Sequence, residues 1–124
     1  MSRPAVYQTF RQKYNDITRY YRSYGCDIRD RNMCQRIEDS LPVIETLIEL
    51  IETLTPLVLD MDASKRRRLR HKLKDLEWIR QEMKRNQDDE HGGDIIMKIL
   101  DLAMQLKTKA VELNGGEIIS VTRY

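Results

Sequence analysis

Glycine and proline are scarce in this chain of 124 residues, with 5 and 3 copies respectively. Since both residues interrupt regular structure and shape turns, their scarcity argues against an all-β domain and favours long helices. Long apolar runs are missing as well, and without a stretch of about 18 apolar residues no membrane-spanning helix is expected. The opening residues, MSRPAVYQTF, lack the apolar core of a signal peptide. We therefore expect an intracellular protein, cytoplasmic or nuclear, and not a secreted one.

Cysteine and histidine are also rare, with 2 copies of each. Cys26 and Cys34 are too far apart for the paired spacings of zinc and redox sites. His71 lies in a basic run, and His91 lies in an acidic loop that matches neither the EF-hand pattern nor a helical E-x-x-H motif. A nucleophile elbow, a P-loop and a dinucleotide fingerprint are all missing. The sequence therefore predicts a protein that is not an enzyme and uses no metal or cofactor.

Apolar residues recur every three or four positions along most of the chain, which is the spacing of amphipathic helices. Pro42 either kinks the second helix or starts a new helix capped by Asp39 or Ser40. Asp94 is expected to cap the last helix. The helical segments are predicted at residues 5–24, 30–55, 63–86 and 95–113.

The length and composition of the chain are those of one domain with one core. We predict an all-α fold, an antiparallel bundle of about four helices, over residues 1–116. Residues 117–124, EIISVTRY, are rich in β-branched residues, which favour an extended strand. They form a predicted extended C-terminal tail.

The net charge of +2 conceals four blocks of alternating sign. Residues 1–36 carry +5, residues 37–62 carry −7, residues 63–87 carry +7 and residues 88–124 carry −3. In an antiparallel bundle these blocks would place basic faces beside acidic ones, which helps to select the topology. One interpretation of the basic blocks is therefore a solvated face paired with the acidic second helix.

The other interpretation is that the basic blocks bind a partner. The run KRRRLRHKLK occupies the first turns of the third helix, where the helix dipole favours acids, and this local conflict indicates a functional use. Phosphate backbones and acidic protein surfaces would both accept such a run. The first helix interleaves arginines with tyrosines, which can stack on bases. The candidate binding residues are Lys65, Arg66, Arg67, Arg68, Arg70, Lys72, Lys74 and Trp78, together with Arg11, Arg19 and Arg22.

The only tryptophan is predicted to point away from the core. On a helical wheel Trp78 lies roughly 180° from Leu69, which begins the buried stripe of the third helix. A side chain of this size is expected to pack on a second neighbour, a dimer mate or an external partner. A homodimer is one alternative, because the buried stripe is narrow.

A leucine-rich pattern occurs where the second helix ends. The spacing of Ile51, Leu54, Leu57 and Leu59 is similar to that of a leucine-rich nuclear export signal, which presents its apolar residues to a groove on a carrier. Core helices rich in leucine produce the same spacing, and that is the alternative.

Residues 63–113 are similar in layout to the influenza-type nuclear export protein, which has two antiparallel helices and an outward tryptophan midway along the first. The resemblance implies a small viral adaptor. The chain departs from that family because Glu77, Arg80 and Glu82 replace its uniformly acidic surroundings of the tryptophan. The leucine-rich signal also lies in the middle of the chain, and the tail has no counterpart.

The favoured function is a non-enzymatic interaction or regulatory protein, a viral or phage adaptor or accessory factor, that binds another protein through charged faces and Trp78. Nucleic-acid binding through the basic faces of the first and third helices is the second alternative. A nuclear-export-type adaptor using residues 51–59 is the third.

Overall fold

The structure, a computed structural model, describes residues 9–24, 28, 30–87 and 92–115. Its helices are α1 (Phe10–Tyr24), α2 (Arg31–Leu54), α3 (Ala63–Arg85) and α4 (Gly93–Leu113), and a 3₁₀ segment (Thr55–Asp60) joins α2 to α3. Because these residues contain four packed helices and no strand, the predicted all-α bundle is confirmed. Within this part of the chain, none of the helices has the length and apolar character that crossing a membrane requires. The predicted tail, 117–124, lies outside the described residues.

The helices form an up-down-up-down bundle. α1 and α3 each pack against both α2 and α4, and α2 also contacts α4 across the centre. Arg11, near the start of α1, pairs with Glu52, near the end of α2, at 3.3 Å. Arg36, near the start of α2, pairs with Glu82, late in α3, at 3.5 Å. These contacts establish the antiparallel order and place α1 and α3 at opposite corners.

A single core of isoleucine, leucine and methionine fills the bundle. α2 contributes the largest share because it faces all three other helices. Burial of this apolar surface is the main stabilising contribution, at roughly 25 cal/mol per Å². The largest fully buried side chains are Ile37, Ile44, Leu47, Ile48, Ile51, Leu69, Leu76, Ile79, Met83, Ile96, Ile99 and Leu102.

α1 begins at Phe10, and the predicted start near Ala5 is wrong. The Oγ1 atom of Thr9 accepts a hydrogen bond from the backbone N–H of Gln12 at 3.1 Å. The side-chain oxygen of Gln12 in turn accepts from the backbone N–H of Thr9 at 3.0 Å. This reciprocal capping box satisfies two donors at the helix start and fixes where α1 begins.

α2 runs through Pro42 as one helix, so the alternative in which Pro42 starts a new helix is wrong. Asp30 caps α2, and its carboxylate accepts from backbone N–H groups of the first turn. Ser40, a predicted cap, is buried instead and donates a hydrogen bond to a carbonyl of its own helix at 2.7 Å. Proline has no backbone donor, so the helix forgoes one hydrogen bond there, and tertiary packing on three sides compensates.

α4 begins at Gly93 with Gly92 as its cap, and the predicted cap, Asp94, lies inside the first turn. Gly92 is positioned against α2. A Cβ atom added to Gly92 would clash with the Sδ atom of Met33, which is buried. A side chain at Gly92 would therefore require the Met33 side chain to move within the core.

We predict that Gly92→Ala destabilises the fold by about 1–3 kcal/mol, the usual cost of forcing extra volume into a packed site. The measurement is the free energy of unfolding in urea for Gly92→Ala, Met33→Ala and the double variant. Because truncating Met33 removes the clash, Gly92→Ala should cost less in that background. An equal cost in both backgrounds would show that the contact is not the cause.

Candidate functional site

The start of α3 combines one acidic cap with the basic run. The carboxylate of Asp62 accepts a hydrogen bond from the backbone N–H of Lys65 at 2.9 Å and lies 3.7 Å from the Nζ atom of the same residue. The backbone hydrogen bond from Lys65 holds the pKa of Asp62 below its usual value. One carboxylate therefore satisfies the positive end of the α3 dipole, and Lys65 is occupied by the cap.

Two other basic residues of the run also have structural partners. The guanidinium of Arg66 donates to the side-chain oxygen of Asn114 at 3.3 Å and to the backbone carbonyl oxygen of the same residue at 3.5 Å. Arg66 thereby supplies positive charge at the C-terminus of α4, where the helix dipole is negative. Lys72 lies 3.9 Å from Asp75, one turn further along α3. Part of the basic run therefore has a structural role within the fold.

The rest of the run has no such explanation. Arg67, Arg68, Arg70 and Lys74 are exposed and form no ion pair with any residue that the structure describes. Arg67, Arg70 and Lys74 follow the i, i+3, i+7 spacing of one helix face, and Trp78 lies one turn beyond Lys74. We call these four residues, Arg67, Arg70, Lys74 and Trp78, the α3 outer face. It extends over roughly 16 Å at the rise of an α-helix.

The glutamates of α2 form ion pairs with α1 and not with the basic run. Arg11 of α1 lies 3.3 Å from Glu52, 3.6 Å from Glu45 and 3.9 Å from Glu49. Among the described residues, the interpretation of the run as a face paired with the acidic second helix is therefore wrong. The acids that would have neutralised the run lie along the α1 side of α2, which leaves a positive surface on α3.

Trp78 is 39% exposed, as its outward position on the wheel predicted. The guanidinium carbon of Arg36 in α2 lies over the indole, 6.0 Å from the ring centroid, at the outer limit of a cation–π contact. Arg36 is held there by Glu82, which also accepts from Arg85 at 3.4 Å. One face of the indole thus has a neighbour from α2, and the remaining surface is available to a partner. The contribution of Arg36 was not predicted from the sequence, because it depends on how α2 and α3 pack.

The predicted basic face of α1 is separate from the α3 outer face. Arg11 is committed to α2, and Arg19 lies 3.7 Å from Asp16 within α1. Arg22 is exposed. Because α1 and α3 occupy opposite corners, the two basic faces do not form one continuous surface.

Two of the tyrosines that could have stacked on bases serve the fold. Tyr14 is buried, and burial raises the pKa of its phenol. Tyr21 donates to a carboxylate oxygen of Glu38 at 3.0 Å. Burial raises the pKa of Tyr21, and the bond to Glu38 raises it further, so the phenol stays protonated as a donor. Tyr24, in contrast, is largely exposed.

The leucine-rich pattern is divided between core and surface. Ile51 and Leu54 are 2% and 3% exposed, whereas Leu59 is 95% exposed. α2 ends at Leu54, and Pro56 lies in the first turn of the 3₁₀ segment. A carrier could contact all four residues of the pattern only if the end of α2 opened. The export signal stays a prediction.

An apolar strip on the outside of α4 was not predicted from the sequence. Met97 and Met104 are 56% and 47% exposed, and Leu100 and Val111 are half-buried. Leu100 also packs against the edge of the core. We call Met97, Leu100, Met104 and Val111 the α4 outer strip. Their steps of three, four and seven residues form a second helical stripe that the sequence does contain.

A shallow groove of about 540 Å³ lies between α1 and α4 and is lined by Tyr20, Asp94, Met97, Lys98 and Asp101. Its polar groups are already engaged with each other, since Tyr20 donates to Asp94 at 3.4 Å and Lys98 lies over the tyrosine ring. Among the described residues, no three His, Cys, Asp or Glu side chains are close enough to hold a metal ion. Cys26 and His91 lie outside that part.

Comparison with known proteins finds no matching family model, no matching curated protein and no matching solved structure. None of these comparisons supports the resemblance to the influenza-type nuclear export protein, which stays a prediction.

We predict that the α3 outer face attracts anions to Trp78. Iodide should quench the tryptophan fluorescence efficiently at low salt, because nearby cations raise its local concentration. In Arg67→Gln/Lys74→Gln the iodide Stern–Volmer constant should fall roughly twofold, whereas quenching by neutral acrylamide should not change. A matched control, Arg19→Gln/Arg22→Gln, removes the same charge from the opposite corner and should leave both constants unchanged. Equal iodide constants in all three proteins would contradict a local positive field.

Proposed function

We propose that this chain is a non-catalytic adaptor that binds an acidic surface of another protein through the α3 outer face. The observation that carries the proposal is the juxtaposition of unpaired cations and an exposed indole on one rigid helix. Five described arginines lie near a carboxylate: Arg11, Arg19, Arg36, Arg80 and Arg85. Arg22, Arg31, Arg67, Arg68 and Arg70 have no ion pair within the described residues, and of these Arg67 and Arg70 lie on the α3 outer face with Trp78.

The residue types on this face are those that dominate binding energies in protein interfaces. Tryptophan and arginine are enriched among the residues whose truncation costs the most affinity. Here the indole of Trp78 offers apolar area at the end of the cationic row, and Arg36 braces it from α2. The cations would steer an acidic partner to the face and fix its register, and the indole would supply buried area.

Carboxylates beside Trp78 favour a protein partner over a nucleic acid. Glu77 and Glu82 flank the tryptophan on α3, and both are only partly exposed. Both are paired with arginine, Glu77 with Arg80 at 2.9 Å and Glu82 with Arg36 at 3.5 Å and Arg85 at 3.4 Å. The arginines beside Trp78 are therefore already engaged and offer little free positive charge to a phosphate backbone that continued past Lys74. A protein partner can instead place acids opposite the cations and an apolar or basic group beside Trp78.

Nucleic-acid binding is the second candidate, favoured by one observation. Arg68 extends the unpaired cations to a second side of α3, so that four of them lie within about two helical turns. Such density is what phosphate contacts require. In this case Arg67, Arg68, Arg70 and Lys74 would hold phosphates.

The first test is whether nucleic acid copurifies. Sizing chromatography with light scattering at low and high salt, read at 260 and 280 nm, detects it directly. Under the adaptor proposal the protein elutes free of nucleic acid. Nucleic acid that leaves only at high salt would instead support phosphate binding.

The second test compares two anionic probes by the fluorescence of Trp78. A glutamate-rich peptide of about 20 residues should bind, and a single-stranded oligonucleotide of similar charge should bind more weakly. In Arg67→Gln/Lys74→Gln the peptide should bind at least about tenfold more weakly, and in the matched Arg19→Gln/Arg22→Gln it should bind as in the wild type. Tighter binding of the oligonucleotide with a steep salt dependence would replace the proposal with the second candidate.

A further inference from the structure

The 3₁₀ segment between α2 and α3 carries two adjacent exposed apolar side chains. Val58 is 41% exposed and Leu59 is 95% exposed, more than any other large apolar residue that the structure describes. Pro56 is exposed beside them, and Leu57 is half-buried. A single exposed leucine needs no explanation, but an adjacent pair on a short connection forms a small apolar protrusion at the end of the bundle.

Cations without an ion pair lie at the same end of the bundle. α3 begins at Ala63, four residues after Leu59. Arg67 and Arg68 are exposed in its first two turns and form no ion pair with any described residue. They lie roughly 6–8 Å along the α3 axis from Ala63. Free positive charge is therefore positioned slightly behind the apolar protrusion.

The acids at this end do not cancel that charge. Residues 52–70 carry five Lys/Arg and three acids, which gives +2. Glu52, Asp62 and, at the end of α4, Glu112 each lie near a cation, at 3.3, 3.7 and 3.5 Å. Asp60 is exposed next to Leu59 and opposes an anionic ligand, but the two free arginines outweigh it.

We propose that this end of the bundle binds an anionic bilayer surface, with Val58 and Leu59 in the headgroup region and Arg67 and Arg68 on the lipid phosphates and carboxylates. The headgroup region is roughly 5–7 Å thick on each side of a bilayer, which matches the set-back of the arginines. Arginine side chains are long enough to reach charged headgroups from there. Apolar area and positive charge together are what hold a protein on a membrane surface.

A bilayer fits this protrusion better than the other apolar occupants do. A second copy of the chain would bury far less than the roughly 1,000 Å² that a stable interface requires. A nuclear export carrier would also need Ile51 and Leu54, which are buried. A bilayer needs only the exposed pair, since a fluid surface accepts a protruding side chain without a matching pocket. Its anionic headgroups also supply partners for the free arginines.

The position of Trp78 makes the orientation testable. Trp78 lies 15 residues after Ala63, roughly 22 Å along the α3 axis. When the end of the bundle is bound, the indole stays in water and its emission does not change. If instead the α3 outer face lay flat on the bilayer, the indole would enter the headgroup region and its emission would shift to the blue.

The experiment is cosedimentation of the full chain with vesicles of phosphatidylcholine alone or with about 30% phosphatidylserine. The protein should bind the anionic vesicles, more weakly as salt rises, and should not bind the neutral ones. Val58→Gln/Leu59→Gln should lower the partition coefficient at least about fivefold without changing the charge. Arg67→Gln/Arg68→Gln should lower it at least about tenfold, because each cation near the surface contributes about fivefold.

Two matched variants control for these changes. Met97→Gln/Met104→Gln makes the same kind of change on the α4 outer strip, and Arg19→Gln/Arg22→Gln removes the same charge from α1. Both should bind anionic vesicles as the wild type does, because the altered residues lie away from this end of the bundle. Circular dichroism and thermal melting show that each variant is folded.

Three results would overturn the proposal. The first is no sedimentation with anionic vesicles. The second is binding that either Val58→Gln/Leu59→Gln or Arg67→Gln/Arg68→Gln leaves unchanged. The third is a blue shift of the Trp78 emission on binding, which would show that the α3 outer face and not the end of the bundle meets the lipid. The adaptor proposal is independent of these results, because the acidic peptide is measured without lipid.

Discussion

Burial of α2 on three sides is the constraint on which the rest of the bundle depends. Its apolar residues face α1, α3 and α4, and a helix with this much apolar circumference is stable only when all three neighbours cover it. The requirement is strong enough to keep α2 continuous through Pro42, where a hydrogen bond is lost. It also brings the start of α4 so close that a Cβ atom on Gly92 would meet the side chain of Met33.

The position of α2 determines how charge is distributed on the surface. Its core-facing residues fix its rotation, and that rotation turns Glu45, Glu49 and Glu52 toward α1. Arg11 meets all three carboxylates. Within the described residues, the basic run of α3 consequently pairs with Asp62, Asp75 and the C-terminus of α4. The positive surface of α3 is thus a consequence of packing, because the acids of α2 lie too far from it to neutralise its charge.

A helix surface with uncompensated charge costs little stability, because exposed ion pairs contribute only about 0–1 kcal/mol each. The same cations contribute more when a partner excludes water from them, since charge interactions strengthen as the effective dielectric falls. A face of this kind can therefore be maintained without weakening the fold. The proposed adaptor function depends on this difference between the free and the bound protein.

The sequence alone determined the helical class, the limits of α3 and the outward position of Trp78, because helical spacing is a local property that survives in any packing. It did not determine the start of α1, where the prediction overlooked the reciprocal bonds of Thr9 and Gln12. Tertiary structure alone decided which acids meet which bases and where Arg36 lies. These features depend on the rotation and neighbour order of the helices, which follow from how all the apolar faces fit together and not from the spacing within any one of them.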